Sequence, residues 1–551
     1  MSKSRLVDVR VTWWEAQVDS FDFIIIGAGT AGCVVANRLS ENPNLSILLI
    51  EAGGSDSHPI LKLPILAGAA YTYKPTNWNY TSEIEEHLDS RKIPWPRGKV
   101  LGGTSSINGM MHIRGNPGDF DNWALSGSKG WSYKDVLPYF LKAEGNIYRD
   151  GPYHNSNGPF KVSRANSKNQ LYERFLNACE LSGYSKNDDL NGKIQEGVGR
   201  QDFNILNGRR VSSATSYLHP IKKRKNLKVQ TKMLVSRIIF DGSTAIGVEC
   251  QDSKNNSNSI KFFASKEVIV SAGTINSPQI LQLSGIGDAN HLKKLGISIV
   301  NHSPKVGENL QDHLGAYVQV ECTKNISLYN LFRKDRLIFA LMRALVFKDG
   351  PATSIPLEAG GFIKSDPSIS LPDFQITFCP GLSLETTLKG QGQHGYLMHY
   401  YVARPKSRGS VKITSSDPQV APAIKPNSLS NSDDMRLMKV GLNIARKILS
   451  QVPFDDVRGK EISPGSQIYD DIEIENWIRR NATTVWHPTS TCKMGSELDA
   501  VVNSELKVLG VKKLRVVDAS IMPSITTGNT ATPAIMIAEK ASDMIRKDYN
   551  L

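Results

Sequence analysis

Three glycines and one carboxylate are the first residues along this chain whose spacing indicates chemistry. Gly27, Gly29 and Gly32 form the pattern G-x-G-x-x-G, and Glu51 follows about 20 residues later. The first glycine of such a pattern permits a tight turn, the second lets backbone N–H groups approach a pyrophosphate, and the third lets a helix pack closely on a strand. A carboxylate at that distance can accept hydrogen bonds from an adenosine ribose. These residues therefore predict a dinucleotide site.

The neighbouring segments place the glycines where this chemistry needs them. Residues 22–26 and 46–50 are short, β-branched apolar runs of the kind that form buried strands. Residues 31–39 are predicted to form a helix whose free N–H groups face the phosphate. An ordinary βαβ turn without a ligand is the alternative. It is the weaker one, because strand, glycines, helix, strand and acid all occur in order.

Length and composition describe a globular protein of more than one domain. The 551 residues exceed one compact core, and 40% hydrophobic with 22% charged residues is an ordinary globular composition. The formal charge of +13 and the pI of about 9.2 fit an anionic cofactor, an anionic substrate or a membrane surface alike. The basic run at 222–225 is typical of a solvated loop without a nucleic-acid module around it, so no nucleic-acid partner is expected.

The cysteines and the N-terminus indicate a reducing compartment. Six cysteines lie far apart without any C-x-x-C pair, which argues against a disulfide framework and against zinc, and the histidines show no metal-ligand spacing. Residues 1–19 lack the continuous apolar core of a signal peptide, and no apolar run of about 18 residues predicts a transmembrane helix. We therefore expect a cytoplasmic protein without a metal, with peripheral membrane contact as an open alternative, and we leave its oligomeric state open.

A second glycine-rich stretch also has the composition of backbone that lies against a ligand. Residues 97–109 read RGKVLGGTSSING, with two adjacent glycines followed by small hydroxyl residues. A flexible surface turn is the alternative, but a surface turn rarely carries so many small residues between apolar ones.

These motifs resemble those of the glucose-methanol-choline (GMC) oxidoreductases, which are FAD-dependent. The resemblance rests on GTAGCVVANRLSE in the first motif, GKVLGGTSSIN in the second, GTINSPQILQLSGIG from residue 273, VGENLQDH, PKSRG, HPTSTCKMG, LRVVDAS and GNT. They follow one another over residues 20–547, and a chance match in this order is very improbable. The chain is therefore identified as a member of this family.

The resemblance implies an α/β fold, α+β overall, with two domains. A Rossmann-like FAD-binding domain would comprise residues 20–160, 200–315 and 485–551. An antiparallel-sheet substrate-binding domain would comprise residues 161–199 and 316–484, and residues 1–19 would be an N-terminal extension. We predict substrate-domain strands at 373–378 and 396–402, and one strand at 227–239 in the FAD-binding domain.

The resemblance also implies a set of residues that bind FAD. They are Gly27, Gly29, Thr30, Ala31, Gly32, Glu51, Ala52, Leu101, Gly102, Gly103, Thr104, Asn108, Gly109, Val235, Trp486, Asp518, Ala519, Asn529 and Thr530. Val235 matches the residue whose backbone meets the adenine, and Asp518 and Ala519 match the pyrophosphate and ribityl end. Some members tether FAD through a histidine where this chain has Ile107, so we predict non-covalent FAD.

Alcohol oxidation by a flavin needs a base for the hydroxyl proton and a hydride acceptor at flavin N5. The resemblance implies that His487 is the base and that Asn529 occupies a second catalytic position, which holds His or Asn in different members. An amide does not titrate, so Asn529 could only share hydrogen bonds. The alternatives are a structural core histidine and a loop asparagine. The predicted reaction converts a primary alcohol to the aldehyde, with oxygen or a quinone as electron acceptor.

Two positions depart from the family pattern, and other histidines have weaker roles. His112 replaces an aromatic residue or alanine, and Ala531 replaces a second asparagine near the flavin. We predict that His313, like His112, is structural. His394 and His399 lie in the predicted substrate sheet and are candidates for lining its pocket.

Two other functions stay open on the same fold. One is a fatty acid photodecarboxylase-like flavoenzyme, a branch that carries a cysteine just after a Pro-Gly pair. Here Leu382 follows Pro380-Gly381 and Cys379 precedes them, which argues against it. The other is a non-catalytic flavin-binding protein, which the presence of His487 and Asn529 argues against.

The apolar segment at 337–347, LIFALMRALVF, is too short to span a bilayer. We favour a buried helix of the substrate domain from which only Arg343 reaches solvent. In the alternative, the helix lies at the substrate entrance on a membrane surface, where flanking cations would meet anionic head groups.

Overall fold

Two large β-sheets carry the fold, with helices packed on them. The structure is a computed structural model that describes residues 20–252, 255–383, 393–496 and 499–551, with the backbone alone at 255–258. The predicted N-terminal extension lies outside the described residues. The described α-helices are α1 (Thr30–Leu39), α2 (Ala67–Thr72), α3 (Pro117–Leu125), α4 (Tyr133–Ala143), α5 (Gln170–Leu181), α6 (Gly273–Leu283), α7 (Ala289–Lys294), α8 (Lys334–Phe347), α9 (Ser432–Leu449), α10 (Asp471–Asn481) and α11 (Ala531–Asp548).

The first sheet contains the strand that leads directly into the glycine motif. Its seven strands are β1 (Ser20–Ile26), β2 (Ile47–Glu51), β11 (Leu227–Thr231), β12 (Met233–Asp241), β13 (Thr244–Asp252), β14 (Asn255–Val270) and β26 (Leu514–Val516). They lie in the order β11–β2–β1–β14–β13–β12, with β26 also beside β14. Strands β11, β2, β1, β14 and β26 are parallel, whereas β12 and β13 join antiparallel. The apolar run of β1 is buried, as a strand covered on both faces requires.

The second sheet is antiparallel throughout. Its seven strands are β7 (Gly197–Arg200), β18 (Leu314–Cys322), β19 (Ala359–Ile363), β20 (Phe374–Cys379), β21 (Gly395–Val402), β24 (Arg458–Ser463) and β25 (Thr483–Thr484). They lie in the order β24–β18–β21–β20–β19–β7, with β25 also beside β18. Helix α9 packs on β21, so the opposite face of the sheet is left to face the first sheet and the space between them.

The remaining short strands form separate sheets of two or three strands. They are β3 (Tyr80–Thr81), β4 (Pro94–Trp95), β5 (Glu144–Asn146), β6 (Phe160–Arg164), β8 (Asp202–Phe203), β9 (Ile205–Leu206), β10 (Arg209–Arg210), β15 (Ile286–Gly287), β16 (Asn301–His302), β17 (Glu308–Leu310), β22 (Gly409–Lys412) and β23 (Ala423–Lys425).

The predicted fold class is confirmed, with one strand corrected. The parallel core of the first sheet and the antiparallel second sheet are both present. The single strand predicted at 227–239 is wrong, because Lys232 has a φ of 60° and breaks it into β11 and β12. The two halves then pair with different neighbours, β2 and β13. The division into two discontinuous domains stays a prediction.

The apolar segment at 337–347 does form a helix, α8, but the expectation that it is buried on most sides is wrong. Only Ala340 and Ala344 are fully buried, while Phe339 is 67% and Phe347 72% exposed. The sequence has apolar residues on every side of this helix, but only one narrow side meets the protein. Within the described ranges, no helix combines the length and the apolar character needed to cross a membrane.

Candidate functional site

A cavity of about 1330 Å³ is lined by residues from both large sheets. The end of β1 and the start of α1 contribute from the first sheet, and β18, β20 and β21 contribute from the second. A volume of this size can enclose a ligand larger than most small molecules.

The first glycine loop forms one wall of this cavity. Gly27 has a φ of 97°, and a Cβ there would lie 2.6 Å from the Ser271 carbonyl oxygen. A Cβ at Gly32 would lie 1.9 Å from the Gly27 carbonyl oxygen, so this position serves helix packing. At Gly29, by contrast, an added Cβ would have its nearest neighbours 3.9 Å away, and this residue lines the cavity. Gly29 therefore leaves room for a ligand to touch the backbone.

The second glycine-rich stretch packs directly against the first. The Gly102 N–H donates to the Ala28 carbonyl oxygen at 2.7 Å. A Cβ at Gly103 would lie 2.7 Å from the Cα of Gly29, so the two loops lie this close only because Gly103 lacks a side chain. The two motifs thus build one continuous backbone surface, the kind that accepts a pyrophosphate.

Glu51 ends β2 beside these loops. Its two carboxylate oxygens accept backbone N–H groups from Ala28 at 2.9 Å and Gly53 at 2.8 Å. Burial raises the pKa of this carboxyl group to about 7. Each oxygen still has a free lone pair, so the group can accept ribose hydroxyls as well.

The start of α6 also reaches the cavity and is fixed by Asp518. The Asp518 carboxylate accepts the Gly273 N–H at 2.9 Å, the Ser277 hydroxyl at 2.6 Å and the Ser520 N–H at 2.8 Å. Through these hydrogen bonds, the Asp518 carboxylate positions the N-terminus of α6 and the neighbouring residue Ala519.

At the other end of the cavity, five residues form a hydrogen-bond relay with a fixed direction. The Ala403 carbonyl oxygen lies 3.0 Å from His313 Nε2, and His313 Nδ1 lies 3.0 Å from His487 Nδ1. His487 Nε2 lies 3.0 Å from Asn529 Nδ2, and Gln375 Nε2 donates to Asn529 Oδ1 at 3.2 Å. The relay joins the second sheet to the segment that precedes α11.

The direction follows from the two ends. A backbone carbonyl only accepts, so His313 Nε2 carries the proton and its Nδ1 accepts. Burial lowers the pKa of His313 to about 3, so the ring is neutral and His487 must donate from its own Nδ1. Asn529 donates its N–H because its oxygen already accepts from Gln375. The lone pair of His487 Nε2 is therefore left as the acceptor.

The surroundings of His487 keep it neutral. Burial lowers the pKa of this imidazole well below its usual value, and the positive charge of Arg97 acts in the same direction. The backbone N–H of His487 donates to Asp312 at 2.7 Å, which holds the segment. A neutral imidazole whose Nε2 carries the lone pair can take a proton from a hydroxyl group that replaces the Asn529 N–H at this atom.

Most of the residues predicted to form the site lie together. Those that line the cavity are Gly27, Gly29, Thr30, Ala31, Glu51, Ala52, Gly103, Thr104, Asn108, Gly109, Val235, Trp486, His487, Asp518, Ala519, Asn529 and Thr530. Gly32, Leu101 and Gly102 do not line it and shape the loops behind it instead. Of the two departures from the family pattern, Ala531 lines the cavity, whereas His112 is buried outside its lining.

Sequence reasoning missed several residues that the structure adds. His313 was predicted to be structural, yet it bonds His487 directly. Gln375, which the sequence did not single out, orients Asn529. Of the two predicted candidates for lining the pocket, His399 lines the cavity, whereas His394 bonds Ser327 outside the lining. The VGENLQDH motif was a signal for His313, but nothing in the sequence pairs it with His487.

Comparison with known proteins gives one family. The GMC oxidoreductase family model matches residues 21–315 with its N-terminal part and 405–538 with its C-terminal part. The chain is 43% identical to the mitochondrial choline dehydrogenase of Homo sapiens over 96% of this chain and 90% of that one. It is also 43% identical to the oxygen-dependent choline dehydrogenase of Brucella suis, over 95% of each chain. The structure also resembles that of a mutant formate oxidase from Aspergillus oryzae, which concerns the effect of the mutation on FAD modification. The TM-score of this comparison is 0.90 at 26% identity, over 97% of this chain and 99% of that one.

The cofactor end of the cavity fits FAD. The open position at Gly29, the free lone pairs of Glu51 and the N-terminus of α6 offer room and polar groups for a pyrophosphate and a ribose. The buried Ile107 offers no nucleophile for a covalent bond.

We predict that Gly29→Val removes FAD while the fold persists, because the side chain would fill the open position. FAD content is read by acid precipitation, which should release flavin from wild-type protein into the supernatant. Gly495→Val is the control, since Gly495 lies outside the cavity lining and its Cβ would meet only Ala500 at 3.6 Å. Fully loaded Gly29→Val, or flavin that stays in the wild-type pellet, would contradict this account of the cofactor site.

Proposed function

The chain belongs to the GMC oxidoreductase family and is an FAD-dependent oxidoreductase that acts on alcohols, and we propose that it converts a primary alcohol to the aldehyde with His487 as the base. The observation that carries the proposal is the relay, because it leaves the Nε2 lone pair of His487 as an acceptor in a residue that lines the cavity. Bound FAD would supply the hydride acceptor.

Each residue of the relay has its own task in this proposal. His487 Nε2 takes the hydroxyl proton as the alkoxide develops. For this the hydroxyl group replaces the Asn529 N–H at His487 Nε2, and Asn529 Nδ2 then donates to the hydroxyl oxygen. Gln375 keeps the amide in its orientation by donating to the carbonyl oxygen of Asn529. His313 holds the imidazole in the required tautomer. Tyr71 and Trp486, whose ring centroids lie 4.7 Å apart, help to exclude water from this end of the cavity.

Choline is the first alcohol to test, since the human and Brucella relatives are choline dehydrogenases. The comparisons give no support to the photodecarboxylase-like alternative. Cys379 does line the cavity, but burial raises the pKa of its thiol to about 12 and keeps it protonated.

The proposal includes the electron acceptor and the location. We propose oxygen or a quinone as acceptor and a cytoplasmic enzyme that makes peripheral contact with a membrane through the exposed face of α8. That face consists of Ile338, Phe339, Met342, Leu345, Val346 and Phe347. A contiguous exposed apolar patch of this kind is typical of an interaction site.

Charges around this face support a lipid surface as its partner. Arg333 pairs with Asp335 and Arg343 with Asp349. Lys334, Arg336 and Lys348 are exposed and form no ion pair with a described residue. Cations that flank an apolar helix face suit anionic head groups, each contributing about 1 kcal/mol.

The position of α8 supports the same partner. Leu337 at the start of the helix and Phe332 just before it both line the cavity. A membrane under this helix would therefore lie beside the route to the cavity, where an acceptor dissolved in the membrane could reach it.

We predict that His487→Ala keeps FAD and slows flavin reduction by a good alcohol substrate about 10²–10⁴-fold, the usual contribution of a positioned base. Asn529→Ala should slow it less, because only a hydrogen bond is lost. Both rates are measured by rapid mixing without oxygen. Wild-type reduction in His487→Ala would place the base elsewhere, with His399 as the next candidate.

We also predict that the wild-type protein sediments with anionic liposomes at low salt and is released at high salt. Phe339→Glu with Val346→Glu should abolish sedimentation by charging the exposed face of α8. Leu125→Glu is the matched control, since Leu125 is an equally apolar exposed residue on α3. Wild-type protein that remains in the supernatant at low salt would refute membrane contact.

A further inference from the structure

The proposed base lies on a bulge between two points where the same two segments pair. Leu314 pairs with Thr484, and Gln311 forms an antiparallel bridge with Thr489 farther along. Three steps along the first segment therefore face five steps along the second, so the second segment has to bulge outward. Bulges next to active sites redirect side chains, and this one contains His487.

The bulge depends on a strained residue, Trp486, which directly precedes the base. Its φ is 62°, in the left-handed region that residues with a Cβ rarely adopt. Asparagine and aspartate tolerate this region because their short side chains bond to the local backbone, but an indole ring cannot do so. Contacts with other parts of the protein therefore have to hold Trp486 in this conformation.

Side chains supply these contacts to the backbone of Trp486. The Trp486 N–H donates to Thr484 Oγ1 at 2.7 Å, and the Trp486 carbonyl oxygen accepts from Arg97 Nη2 at 2.8 Å. Within the described part of the chain, neither group bonds to another main-chain group. The indole N–H also donates to the Pro94 carbonyl oxygen at 3.0 Å. Trp486 is thus fixed at three points.

Charged side chains hold the peptide group between Trp486 and His487 from both ends. Arg97 donates to its carbonyl oxygen, and Asp312 accepts its N–H at 2.7 Å. Hydrogen bonds with one charged partner are stronger than those between neutral groups. A rotation of this peptide group would break both bonds and would carry the imidazole of His487 with it.

Arg97 is suited to anchor this peptide group because its own backbone is fixed. Its N–H donates to Asn77 Oδ1 at 3.0 Å, and its carbonyl oxygen accepts from the Trp78 N–H at 2.8 Å. Arg97 is also the first residue of the second glycine-rich stretch, 97–109. The anchor therefore connects the base to one of the loops at the cofactor end of the cavity.

We propose that Arg97 and Thr484 are positioning residues for the base, because together they clamp Trp486 in its strained conformation and so keep His487 Nε2 aimed at the reacting hydroxyl group. The relay fixes the tautomer of the imidazole, whereas this clamp fixes the backbone from which the imidazole extends. The clamp rests on the proposed function, since it assigns residues to the base named there.

The test is a double-mutant cycle between Arg97→Met and Trp486→Gly. Flavin reduction by the best primary alcohol of the wild type is measured in FAD-loaded protein without oxygen. Arg97→Met alone should slow reduction at saturating alcohol about 10–100-fold, because a misplaced base loses its reactive geometry. The dissociation constant of the alcohol should change by less than about threefold, since the base acts mainly after binding.

The second substitution separates positioning from a direct effect of the charge. Glycine adopts a positive φ without strain, so the clamp has little to hold in Trp486→Gly. In that background Arg97→Met should slow reduction by no more than about threefold. A guanidinium that acted directly on bound groups would give the same factor in both backgrounds.

Arg91→Met is the matched control. Arg91 also donates to backbone carbonyl groups, those of Arg479 and Ala482, but it lies outside the cavity lining. Its loss should lower the Tm while flavin reduction stays within about twofold of the wild type. Thr484→Val removes the acceptor of the Trp486 N–H and replaces Arg97→Met in the cycle if that variant fails to fold or to bind FAD.

A wild-type rate in Arg97→Met, or equal slowing by Arg97→Met in both backgrounds, would overturn the clamp and leave the proposed function intact. Equal slowing by Arg91→Met and Arg97→Met would also overturn it, because the loss of any guanidinium held by carbonyl groups would then suffice. No reduction of the wild-type flavin by any primary alcohol would instead contradict the proposed function itself.

Discussion

One backbone carbonyl, that of Ala403 just after β21, fixes the direction of the relay at the end that lies on the second sheet. Because it can only accept, it fixes the proton on His313 Nε2, and the direction then passes through His487 to Asn529. The tautomer of the proposed base is thus determined by the antiparallel sheet through His313. The second sheet must keep its register for the relay to exist, since Ala403, Gln375 and His313 lie on or beside three of its strands.

The first sheet imposes the complementary constraint. Gly29 and Gly103 must touch for the two glycine-rich loops to form one surface, and that surface fixes where FAD would lie relative to the relay. The two halves meet at the C-terminal segment, where Asp518 and Asn529 lie about 11 residues apart and serve opposite ends of the cavity. A change in the packing of either glycine-rich loop should therefore affect catalysis by moving FAD relative to His487, although neither loop contacts the base.

Local signals allowed much of this architecture to be predicted from the sequence. The glycine motif, its flanking strands and helix α1 depend on neighbouring residues, and the structure has them within two residues of the predicted bounds. The resemblance to the family supplied His487 and Asn529, which lie far apart in the chain. The interruption at Lys232 went unpredicted because a positive φ at a lysine has no sequence signal.

The unpredicted parts depend on contacts between distant strands. The sequence predicts a structural role for His313, because its partner His487 comes from another segment and their contact requires β18 and β25 to pair. The cavity wall at His399, Thr377 and Tyr317 needs the register of β20, β21 and β18 together. For α8, an apolar run predicts burial, whereas only the packing reveals that most of its surface stays exposed.

The most direct test of this account is the pH dependence of the second-order rate constant for flavin reduction by an alcohol, which reports ionisations of the free holoenzyme. Protonation of His487 abolishes the base, and its pKa lies well below the usual 6.5. The rate constant should therefore stay level as the pH falls through 6.5 and should decline only in more acidic solution. A decline with a midpoint at or above 6.5 would show an ordinary, solvated histidine and would contradict the relay as the origin of the base.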